Sequence, residues 1–219
     1  MQHDPEVLGE RLAEAARYAL LRRVAPAMRH DLAGVLQPVS MMAAMLEKRL
    51  QKPEPDLAAL GKNSSAINTL AREASIACMS LMTWLAPRED APVAVNSTVA
   101  ESLGLVTTEM SFRGINLVNE TENAAGMVLL SGLRGVFMAS LLALTDECEV
   151  PSNVVLTASA SGPDTVLAMR ASPSGGEAMM SGGVPAYRKL GWDDVEALAR
   201  AQGVTLTRDA GMVELRFKS

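Results

Sequence analysis

Met28, Leu32, Val35, Val39, Met42 and Leu46 fall at spacings that alternate between four and three residues. That is a heptad seam, and it predicts a long helix that buries one narrow stripe. The pattern extends back to Pro5, with Asp4 as the cap, and forward to Leu50. Pro26 and Pro38 interrupt it, because neither can donate to the carbonyl four residues earlier, at Arg22 and Gly34. Kinks are expected on both sides of the segment between them, or else two helices meet near Pro26. At about 100° per residue, His30 points away from the seam. Imidazole is a nucleophile and proton carrier near neutral pH, so an off-seam histidine is a candidate for presentation to a partner.

Gln51 to Asp56 reads as a turn, with Pro53 and Pro55 inside it. A second heptad follows. One row is Leu57, Ser64, Ala71, Cys78 and Leu85, and the other is Leu60, Ile67, Ala74 and Leu81. Pro87 ends the pattern. Two long antiparallel helices make a hairpin too thin to bury its own seams, and doubling it gives a four-helix bundle. A homodimer is therefore expected. The competing arrangement packs the hairpin on the rest of its own chain.

Past Pro87 to Pro92 the period changes, which puts a boundary there: a helical domain over 1–88 and a second domain over 92–219. Short apolar strands are expected at Val93–Val95, Ile115–Asn119, Met127–Leu130, Val154–Ala160, Thr165–Ala171, Val204–Arg208 and Met212–Phe217. Helices are expected at Thr98–Met110, Leu133–Glu147 and Trp192–Ala201. Ser161-Gly162-Pro163-Asp164 and Asp209-Ala210-Gly211 read as hairpin turns. This mixture suggests a sheet with helices on one face. The fold class is thus α plus α/β.

Of the 219 residues, 48% are hydrophobic but only 3% aromatic, so the cores rest on Ala, Leu, Val and Met. Charge is uneven. Residues 1–86 carry ten Lys and Arg against nine Asp and Glu, whereas residues 87–219 carry ten against sixteen. That acidic second half argues against a nucleic-acid partner. Arg22, Arg23 and Arg29 form a basic cluster close to His30 that suits an acidic partner. Gly34, Gln37 and Met41 follow His30 on the same stripe. Gly34 either clears a landing site one turn past the histidine or relieves crowding near Pro38. Cys78 and Cys148 lie far apart, outside any metal-ligand spacing, and read as free thiols in a reducing cytoplasm. No apolar run reaches the roughly 18 residues of a membrane span, and the N-terminus lacks a secretory pattern. A cytoplasmic protein without a membrane partner is expected.

A helical segment with an exposed His30-Asp31, followed by an α/β domain of this element order, resembles the sensor histidine kinases. The resemblance implies a dimerisation and phosphotransfer bundle followed by an α/β sandwich like the kinase ATPase domain. His30 and Asp31 fall on the family's phosphoacceptor and adjacent acid. The family usually has Asn or Thr four residues after the histidine; this chain has Gly34, then Val35. Leu133 to Ala143 resembles the helix that carries the family's magnesium-binding asparagine, but Ala143 and Ala139 stand at the asparagine positions. Asp146 falls near an acidic position one turn later. Ser172-Pro173-Ser174-Gly175-Gly176 stands where the family has Asp-x-Gly-x-Gly. Gly182-Gly183 and Gly191-Trp192-Asp193-Asp194 stand in for the glycine-rich phosphate loop, while Ser174-Gly175-Gly176 and Ser181-Gly182-Gly183 also read as a flexible loop. Alanine cannot ligate a hard cation, and two carboxylates at a helix start repel phosphate.

What the resemblance implies is therefore a histidine phosphotransferase of the dimeric kind found in bacterial phosphorelays. It would trade phosphoryl groups with response-regulator receiver domains, which supply the magnesium, and would need no cofactor of its own. The alternatives are a histidine autokinase with an atypical ATP site and a non-catalytic dimeric adaptor.

Overall fold

The structure is a computed structural model that describes residues 4–85, 91–175 and 189–218. Helix α1 runs unbroken from Pro5 to Leu50, through both prolines. Its start is capped as expected: the Asp4 carboxylate accepts the Glu6 backbone N–H at 3.0 Å. A turn leads to α2, Leu57–Leu85, and the Asp56 carboxylate caps it by accepting the N–H groups of Ala58 and Ala59 at 2.9 and 3.1 Å.

The chain divides into two compact units, and the division departs from the expected boundary. Residues 25–88 form one unit, while residues 1–24 belong with 89–219. The first twenty residues of α1 are thus part of the α/β unit. The cause is a second apolar stripe upstream of the heptad seam: Ala13, Ala16, Leu20 and Val24 are all buried. The residues 86–90, on which part of the expected linker falls, lie outside the described residues.

In the helix-pair unit, the predicted seam of α1 is the shielded side. Met28 is buried, and Leu32, Val35, Val39, Met42 and Leu46 are half-buried. One row of α2 behaves as expected, with Ala74 buried and Leu60, Ile67 and Leu81 half-buried. The other row needs correction. Leu57, Ser64 and Leu85 are exposed, and the shielded positions are instead Asn63, Leu70, Ala77 and Trp84, with Ala71 and Cys78 beside them. The expected row thus stands one position too far along the helix. The Asn63 amide oxygen accepts from Arg49 at 3.2 Å, which makes burial tolerable.

The α/β unit opens with β1, Pro92–Ala94, which pairs antiparallel with β3, Met127–Leu129. Between them come α3, Val95–Phe112, and β2, Ile115–Asn119. Next are α4, Leu130–Gly132, a π-helical turn over Leu133–Phe137, and α5, Met138–Asp146. One helix had been expected over Leu133–Glu147. Gly132 and Gly135, each about 1 kcal/mol worse than alanine in a helix, weaken the regular α form there. The strands β4, Ser152–Ser161, and β5, Asp164–Pro173, then α6, Trp192–Ala201, and β6, Thr205–Asp209, with β7, Met212–Phe217, complete the unit.

Five strands form one sheet in the order β2-β4-β5-β7-β6. The β2–β4 pair is parallel, and the other pairs are antiparallel. Helices α3, α5 and α6 touch the sheet and, through α5 and the π turn, one another, so they cover one face as expected. β7 shows why: Val213, Leu215 and Phe217 alternate inward. α5 is buried on all sides, from Met138 to Thr145. Both expected hairpin turns form, with Gly162 and Gly211 at positive φ. At Gly211 a Cβ would also lie 3.1 Å from the Ala171 carbonyl oxygen. Neither cysteine is in a disulfide. Among the described residues, no helix is long and apolar enough to cross a membrane.

Candidate functional site

His30 lies in the helix-pair unit, two residues past Met28 and so about 200° around the helix from that buried seam position. Its side chain is 85% exposed. Asp31 is 52% exposed and brings Oδ1 to 3.5 Å from His30 Nδ1. Successive residues on a helix do not face each other, which keeps this contact long. It still favours the tautomer with the proton on Nδ1 and the lone pair on Nε2, directed outward. The pair can therefore offer a nucleophilic nitrogen to an incoming electrophile.

Gly34, Gln37 and Met41 continue the stripe at spacings of four, three and four, and all are exposed, Met41 to 65%. A Cβ on Gly34 would meet nothing within 4 Å. A side chain at this position would therefore be free of contact with the described residues. Arg29 is exposed beside His30.

The other two arginines of the expected partner-binding cluster belong to the α/β unit. Arg22 is exposed, but it interacts with Tyr18 on its own helix: the guanidinium donates to the phenol oxygen at 3.3 Å and lies 5.8 Å from the ring centroid. Arg23 is a correction. Its side chain is only 11% exposed, and it forks onto the Glu109 carboxylate, donating to Oε2 at 2.7 Å and through its second terminal nitrogen to Oε1. It also lies 3.6 Å from Asp146. Arg23 is not available to a partner, because the stripe of Ala16, Leu20 and Val24 carries it inward. That periodicity was the signal that could have revealed its burial. Its partner Glu109, and Arg113, which shares that carboxylate, carried no signal in the sequence.

The resemblance to kinases implies a magnesium nucleotide, and the described residues do not fit one. Ala139 and Ala143 are buried and carry no oxygen. The hydroxyls of Ser140 and Thr145 donate to the carbonyls of Val136 and Leu142 within their own helix. Asp146 is bound by Arg113 at 2.8 Å and approached by Arg23. A hard cation needs several oxygen ligands, and the one carboxylate on this helix already faces two arginines. At the start of α6, Asp194 accepts the Gly191 backbone N–H at 2.9 Å, so a carboxylate occupies the place where phosphate would need a donor. Gly176, Ser181, Gly182 and Gly183 of the expected lid loop lie outside the described residues.

No protein-family model matches the chain, and no curated protein does. Solved structures do match. The catalytic domain of the histidine kinase ThkA is 12% identical, with 59% of this chain and 95% of that one covered and a TM-score of 0.45. The Acinetobacter baumannii histidine kinase AdeS is also 12% identical, with 86% and 97% covered and a TM-score of 0.47. ThkA in complex with the response regulator protein TrrA is 13% identical, with 97% and 65% covered and a TM-score of 0.43. The chain is thus similar to histidine kinases, as its element order led us to expect, but TM-scores under 0.5 transfer neither role nor reaction to its residues.

Proposed function

We propose that this chain is a histidine phosphotransferase of a two-component phosphorelay, with His30 as the phosphoryl carrier. The observation that carries the reading is the presentation of His30, 85% exposed on a bare helix face with Asp31 at 3.5 Å. His30 Nε2 attacks the phosphorus of an aspartyl phosphate on a response-regulator receiver domain. An N–P bond forms, the P–O bond to the aspartyl carboxylate breaks, and the Nδ1 proton leaves through Asp31. A second receiver's aspartate then takes the phosphoryl group by the reverse displacement. The acyl phosphate is already activated and the receiver brings the metal, so no nucleotide or metal site on this chain is required. Gly34, Gln37, Met41 and Arg29 form the landing strip.

The helix pair is a hairpin that doubles into a four-helix bundle in a homodimer. Exposed apolar side chains support this: Leu36, Ile76, Met79, Met82 and Leu85 are all exposed among the described residues. The protein works in the cytoplasm, where receiver domains are found.

The test is incubation of the full chain with a phosphorylated receiver, and separately with labelled ATP and magnesium. Acid-labile label from the receiver, lost in His30→Ala, is expected. Label from ATP would establish an autokinase instead, and no label from any receiver would leave a non-catalytic adaptor. Sedimentation is expected to show a dimer at micromolar concentration; a monomer would remove the bundle.

A further inference from the structure

The segment of α1 that joins the α/β unit has little apolar substance. Its buried face is Ala13, Ala16, Leu20 and Val24, and alanine removes little area from water. Arg23 adds the charged contacts of this seat. Its guanidinium forks onto Glu109, on α3, and lies 3.6 Å from Asp146, at the end of α5. Arg113 reaches the same two carboxylates, Asp146 at 2.8 Å and Glu109 at 3.8 Å. It also donates to the Thr145 carbonyl at 2.8 Å. Two cations thus face two carboxylates, with Arg23, Arg113 and Asp146 exposed by only 11%, 17% and 10%. Shielded charges of this kind persist only while each has its opposite. A slip of one helical turn, about 5.4 Å, would carry Arg23 out of reach of both carboxylates and leave them with Arg113 alone.

We propose that Arg23, Glu109, Asp146 and Arg113 form a charge latch that seats residues 5–24 of α1 on the α/β unit in one register, and that the segment opens as a unit when the latch is broken. The fork onto Glu109 uses both terminal nitrogens of a planar guanidinium, so lysine cannot replace it. The latch is independent of phosphoryl transfer by His30.

Amide hydrogen exchange on the full chain, read by segment, tests it. In Arg23→Glu, exchange over residues 13–24 is expected to rise at least tenfold, with β4 and β5 unchanged. Arg23→Lys is expected to give a smaller rise in the same segment. The charge swap Arg23→Glu with Glu109→Arg is expected to restore protection to within about threefold of the parent. Should Arg23→Glu fail to fold, Arg23→Lys carries the test. A change under twofold over residues 13–24, a rise spread equally over β4 and β5, or a swap that restores nothing would overturn the latch.

Discussion

The α/β unit and the helix pair solve the burial problem in opposite ways. In the α/β unit, α5 is enclosed on every side and Leu141, Leu142, Leu156 and Leu215 are fully shielded. In the described part of residues 25–88, only Met28, Asn63 and Ala74 are buried, and one of those three is polar. Ile76 and Met79 stay exposed. Both units draw on a similar apolar composition, so the difference lies in geometry. A sheet covered by three helices encloses side chains, whereas two helices shade only one stripe of each. The α/β unit is built to stand alone; the helix pair is built to be covered or approached.

The largest expected effect tests the first half of that contrast. Leu141→Ala should cost about 3 kcal/mol in urea unfolding, because the cavity it leaves is closed on all sides. Leu46→Ala, on the half-shielded seam, should cost about 1 kcal/mol; equal losses would break the comparison. Asn63→Leu tests the second half. The Asn63 Nδ2 is buried with no partner among the described residues, so the substitution should raise stability by about 1 kcal/mol in thermal melting. A loss would mean that the amide has work beyond its bond to Arg49. Gly34→Ala should add about 1 kcal/mol of helix stability yet slow phosphoryl transfer from the receiver, since the new methyl would stand in the landing strip. Transfer that is unchanged would return Gly34 to a neutral role. The smallest change in stability belongs to Asp31→Asn, within about 0.5 kcal/mol because the pair is solvated. Transfer should nevertheless fall by about a hundredfold when Nδ1 loses its proton acceptor.

Much of this was legible in residue spacing. The α1 seam, the strands Ile115–Asn119 and Met212–Phe217 and the helix Trp192–Ala201 form as read, because in each the local period agrees with the tertiary environment. The off-seam position of His30 was legible for the same reason. What escaped was long-range. Nothing local distinguishes Arg22, which stacks near Tyr18, from Arg23, whose partners lie 86 and 123 positions away in sequence at Glu109 and Asp146. The burial of Asn63 escaped because its acceptor role depends on Arg49, across the turn. The helix over Pro5–Leu50 was legible, but its division between the two units escaped because a periodic run gives no sign of a change in what covers it.

Within residues 25–88, what leaves His30 exposed is its count from Met28, whose side chain is buried. Inserting one residue between the two would turn His30 by about 100° about the helix axis relative to that seam, and inserting seven would return it to within about 20°. The address of the histidine is thus written in the spacing of its own helix.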